Sequence, residues 1–218
     1  MAHEPDDLDD DFAFDSGLPA IELALEFLRG HLSGLLRFDG DVRPVKIVVA
    51  DDGRLVAPAM VAMLRSLDTT LMLPDEGDES LHLHVTLEEF EEAGPHGALA
   101  DRWRIYHGEP PDVRWARMSI DAARFEGVFI DGEALMWPNP LARALPAICR
   151  ALNTGFADAL RAACLKTASL AIERPVVVGV DPLGIDVRGA FDVVRLPADS
   201  LLRSQADALA LVRQLAAD

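Results

Sequence analysis

Apolar residues recur along this chain with two periods, and the change from one to the other marks its elements. From Pro19, the residues Ile21, Leu25, Leu28, Leu32 and Leu35 step by three or four. They predict one amphipathic helix, weakened by Gly30 and Gly34 and ended by Asp39-Gly40. From Val42 the pattern is extended. A β-branched run over residues 45–49, the turn Asp51-Asp52-Gly53 and an apolar segment over 55–64 predict a hairpin. Pro58 in its second arm predicts an edge or a bulge there. Residues 69–73 read as a third strand. In a fourth, Leu81, Leu83, Val85 and Leu87 alternate with His82, His84 and Thr86, which predicts one buried and one polar face. An acidic loop over 74–79 joins the two, and residues 88–92 read as a helical turn before a loop at Gly94-Pro95.

Residues 101–137 are the stretch richest in aromatics, with strands predicted over 113–120 and 123–129 and a turn at Asp131-Gly132. Beyond Trp137-Pro138-Asn139-Pro140 the period becomes helical over 141–152 and 156–170. Three short strands follow over 176–180, 185–188 and 191–196, then a closing helix over 200–217. Segregated strands and helices of this kind predict an α+β fold. The proline-bearing stretch divides the chain into an acidic tail (1–17), a strand-rich domain (18–138) and a smaller α+β module (139–218).

Charge narrows the partners. The 218 residues carry 37 acids against 20 bases, a formal charge of −17, which disfavours nucleic acid and anionic membranes. No apolar run approaches the ~18 residues of a membrane span. Residues 1–16 hold seven acids and no Lys or Arg. That is unlike a secretory leader and predicts a disordered tail and a cytoplasmic protein. Cys149 and Cys164 lack a CxxC pattern and read as reduced thiols.

One part of the chain resembles a known family. Residues 152–160, Leu-Asn-Thr-Gly-Phe-Ala-Asp-Ala-Leu, precede a hairpin over 180–188 that carries Asp181, Gly184 and Asp186, and Arg195-Leu196-Pro197 follows. Together they resemble the C-terminal module of the haem-utilisation family. The resemblance implies that the module sits behind a split β-barrel related to the pyridoxamine-phosphate oxidases. It also implies a homodimer holding FMN, or in some members haem, near the subunit interface. Two positions depart from the family pattern. Gly155 and Phe156 stand where the family has Asp-His, and residues 57–60, Ala-Pro-Ala-Met, offer no arginine to an FMN phosphate.

Candidate ligands follow from the chemistry of such a cofactor. A phosphate wants arginine forks and hydroxyl donors, which Arg65 with Ser66 supplies. Arg102 and Arg104 flank Trp103, whose ring could stack on an isoalloxazine or porphyrin. The competing reading has these arginines lying over aromatics and pairing with Asp101, Glu109 and Asp112. His82 and His84 share a strand face as a metal chelate requires, with His96 or His107 to complete it, but solvent-facing histidines give the same pattern. His82, His84 or His107 would be the source of an axial haem ligand. No Gly-x-Ser-x-Gly, P-loop or Gly-x-Gly-x-x-Gly occurs. Two functions therefore stand: a cofactor-binding redox protein using FMN or haem, and a non-catalytic dimeric relative acting as a binding or scaffold protein.

Overall fold

In the computed structural model, residues 17–111 and 114–217 are described; residues 1–16 of the acidic tail, Asp112 (one of the acids expected to pair with the arginines) and Val113, the first residue of a predicted strand, lie outside them. The first helix, α1 (Gly17–Gly30), is shorter than its apolar stripe implied. Leu35 belongs instead to β1 (Ser33–Phe38), which pairs with β2 (Asp41–Lys46). Asp39 and Gly40 both take positive φ, 47° and 86°, between the paired residues Phe38 and Asp41. This two-residue turn matches the twist of its strands, so the Asp-Gly pair makes a hairpin where a helix stop was expected.

The sheet then curls into a half-barrel. β3 (Val48–Val49) follows β2 after Ile47 alone, and it pairs with β4 (Leu55–Ala59). The strand order β2-β1-β5-β6-β7-β4-β3 thus begins and ends on adjacent segments of one stretch of chain. β5 (Thr69–Leu73) and β6 (Leu81–Phe90) form as expected, with a register shift at His84/Val85. β3 reaches only Leu55 and Val56, so Pro58 lies where that side of β4 is uncovered and no ladder donor is missed. β6 continues through residues 88–90, where a helical turn was predicted, because Glu88, Glu89 and Phe90 pair with Arg117, Ala116 and Trp115 of β7 (Arg114–Phe125). The break expected within residues 121–122 is absent. β7 runs unbroken to a positive-φ turn at Glu126-Gly127 and returns as β8 (Val128–Asp131). Asp131 caps the short α4 (Gly132–Leu135), accepting from the Glu133 N–H at 2.9 Å.

Strand alternation sends Leu36, Phe38, Leu55, Leu71, Leu83, Met118 and Ile120 into the barrel interior. The opposite face is covered by a helix that periodicity did not reveal, α3 (Gly97–His107), with Ala100, Trp103 and Tyr106 on Val48, Val56, Phe90 and Trp115. A second short helix, α2 (Val61–Arg65), follows β4 where extended chain was expected. The result is an α+β split-barrel fold.

A separate three-stranded sheet, ordered β11-β10-β9, completes the described chain. It comprises β9 (Val176–Asp181), β10 (Gly184–Arg188) and β11 (Val193–Pro197), with α5 (Leu145–Gly155), α6 (Ala157–Ala168) and α7 (Gln205–Ala217). Val177, Val180, Ile185, Val187, Val194 and Leu196 share a core with Ile148, Leu152, Leu160, Ala208 and Val212 of the helices. Val178 points the other way and joins the cluster under α3. α3 is therefore packed on both sides, by the barrel and by this module.

The close approach of β1 to β5 gives a direct check. A Cβ at Gly34 would lie 2.2 Å from the Met72 carbonyl oxygen, a backbone atom that cannot rotate away. Gly34→Ala should cost roughly 1–3 kcal/mol, as overpacking does, read as a lower urea midpoint at unchanged slope.

Candidate functional site

Period-two alternation decides what faces the barrel across the module's sheet. With Ile185 and Val187 turned toward the helices, Asp186 must face the other way. Its cross-strand neighbours on that face are Gly179 and Arg195. Arg195 forks between two carboxylates, donating from Nη2 to Asp181 Oδ1 at 2.6 Å and from Nη1 to Asp186 Oδ1 at 2.9 Å. Tyr106 of α3 donates to Asp186 Oδ2 at 2.8 Å. From α1, Arg29 lies 3.6 Å from Asp181 Oδ2 and donates to the Trp137 carbonyl at 3.0 Å. Arg102 stands beside this group and pairs outward with Asp51 at 2.8 Å. Asn139 adds a bond to the Val180 carbonyl, and its own N–H reaches Asp51. Arg29, Asp181 and Asp186 are each under 10% exposed.

Charges buried this deeply persist only when paired. Burial alone would raise the Asp181 carboxyl, but Arg195 and Arg29 outweigh it and hold the group below its ordinary range. Burial would likewise lower the Arg195 guanidinium, and Asp186 and Asp181 reverse that. Tyr106 is pushed well up by burial and then by the Asp186 charge, so it stays a protonated donor. Gly179 is required beneath it, since a Cβ there would fall 1.8 Å from the Tyr106 hydroxyl. Asp181, Asp186 and Arg195, which lie in the segments that carry the family resemblance, are thus the charges of the clasp that fastens the module to the barrel.

The residues proposed for a cofactor fall into two places. Arg65 and Ser66 lie just beyond β4, whereas Arg102 reaches Asp51 in the turn before it. Opposite ends of a five-residue strand stand roughly 15 Å apart, so these side chains do not form one anion site. The Ser66 hydroxyl donates to Asp39 Oδ1 at 2.9 Å, and Arg65 is exposed with no ion pair among the described residues. Trp103 is buried and donates to the Lys46 carbonyl at 2.8 Å. Arg104 lies 5.3 Å above the Trp115 ring and meets Glu92 at 2.7 Å, Glu109 at 3.0 Å and Asp101 at 3.4 Å.

The histidines are dispersed. His84 is exposed, His82 is 3.4 Å from the Gly77 carbonyl, and His107 is held 2.8 Å from the Ile47 carbonyl. Burial lowers the His107 pKa. No group of three or more His, Cys, Asp or Glu among the described residues is placed to hold a metal. Burial pushes the Cys149 and Cys164 thiols up to about 11. A cleft of about 650 Å³ lies on the module between residues 170–176 and the β10–β11 turn, with Arg174, Arg188 and the exposed Phe191 at its rim.

No protein-family model matches the chain, and neither does any curated protein. Solved structures do. The protein Atu2129, of unknown function, from Agrobacterium tumefaciens str. C58 superposes with a TM-score of 0.70 at 21% identity, over 91% of this chain and 95% of that one. A haem-binding protein from Mycobacterium smegmatis superposes with a TM-score of 0.42 at 19% identity, over 91% and 96%. The first likeness is one of fold. No helix among the described residues is long and apolar enough to cross a membrane.

Two outcomes follow for the clasp. Arg195→Met removes the cation shared by two buried carboxylates, leaving Asp186 with Tyr106 alone and Asp181 with Arg29, and should cost about 3–5 kcal/mol in a urea melt. Because the folded-state pKa of Asp181 is depressed, its contribution is full above the unfolded value of about 3.9 and is lost as pH falls through the lower folded value. Stability should therefore decline below about pH 4, and Asp181→Asn should make that decline shallower.

Proposed function

We propose that this chain is a non-catalytic split-barrel protein, a homodimer that serves as a binding or scaffold component. The observation that carries this reading is the surroundings of Arg104. Three carboxylates, Glu92, Asp101 and Glu109, converge on one guanidinium, so a phosphate dianion or a propionate pair would enter a net negative field. The hydroxyl of Ser66 is turned to Asp39 in the same manner. The ring of Trp103 is 5% exposed, which leaves no face on which a flavin or porphyrin could stack. Exposed apolar side chains around α2, Met60, Val61 and Leu67, support a second copy as the partner.

A redox protein holding FMN or haem is the competing reading. Arg65 favours it, as the one residue of the proposed set with a guanidinium open to solvent and no ion pair among the described residues. Such a protein would position the cofactor and leave the electron chemistry to it.

The absorption spectrum of protein purified without added cofactor separates the two. A colourless sample whose Tm moves by less than about 1 °C with excess FMN or haemin is expected. Flavin bands, a Soret peak or a dose-dependent rise in Tm that Arg65→Ala removes would overturn the non-catalytic reading.

A further inference from the structure

We propose that a single internal water molecule sits in the clasp between barrel and module and is the fourth partner of its charges. A cavity of about 10 Å³ lies there, between Arg29, Arg102, Asp181 and Asp186, with Leu32 and Val49 as its apolar wall. That volume is about one water-sized sphere, the least that holds a water molecule.

The chemistry of the lining selects the occupant. Arg29 and Arg102 each carry a buried Nε–H that reaches no acceptor among the described residues, although their Nη groups are engaged. The Arg29 side chain is only 6% exposed, so bulk solvent does not satisfy its Nε–H. An occupant must accept from these two donors. It must also tolerate two carboxylates, since Asp181 and Asp186 line the same space with acceptor capacity left on their oxygens. Water does both, accepting two hydrogen bonds through oxygen and donating two through its protons. A halide accepts from the guanidinium groups but is repelled by both carboxylates, and a metal cation is repelled by Arg29 and Arg102. Only a small neutral donor–acceptor fits, and its hydrogen bonds would join α1, α3, β9 and β10.

Crystals of the full chain grown with and without bromide, at resolution sufficient for ordered water, test this. One fully occupied peak within hydrogen-bond distance of Arg29 Nε and Arg102 Nε is expected, with no anomalous signal from bromide. A bromide peak at that position would overturn the proposal in favour of an anion site. Absence of any peak, with each Nε–H bonded to a protein oxygen, would overturn it as well. In solution, nuclear Overhauser transfer from a slowly exchanging water to the Val49 methyl groups is expected, and its absence would count against the site.

Discussion

Arg195 is the residue on which the rest of this architecture turns. A guanidinium at the middle of edge strand β11 and largely buried is tolerated only because two carboxylates meet it, one on the neighbouring strand and one at the turn. Those carboxylates in turn recruit Tyr106 from α3 and Arg29 from α1. The module's sheet therefore presents a charged face to the barrel, and the barrel answers with charge and hydroxyl. Hydrophobic contact supplies most of the burial energy here as elsewhere. The clasp fixes which face meets which, because any sliding of the module would strand buried ions.

That constraint explains the glycine at 179 and the helix at 97–107 together. Tyr106 can reach Asp186 only by passing over a residue with no Cβ. The same helix must bury Trp103 against the barrel at the opposite side. α3 has a polar outer rim, Asp101 and Arg104, which with Glu109 just past its end spend their charges on one another. Exposed ion pairs of that kind add little stability, yet they set the sign of the local field, and it is not one that welcomes an anion.

Much of the fold was legible in the sequence where a local rule and the tertiary context agree. β6 shows it best, with leucines inward and polar residues outward. Asp39-Gly40 was visible as a break, but the leucines before it fit both periods, and only cross-strand pairing made Leu35 and Leu36 part of a strand. α3 was hidden because its buried side is only Ala100, Trp103 and Tyr106 while Ile105 lies on the exposed side, which blurs the amphipathic stripe. The clasp was seen as a motif and not as a contact. Asp186 and Arg195 alternate with apolar residues as any solvent-facing charges do, and nothing local says that the facing surface is another part of the chain.

If the clasp couples barrel and module as described, the two must unfold together. Differential scanning calorimetry of the full chain at neutral pH tests this most directly. The account predicts one transition whose calorimetric and van't Hoff enthalpies agree. Two resolved transitions, the module melting by itself below the barrel, would contradict it.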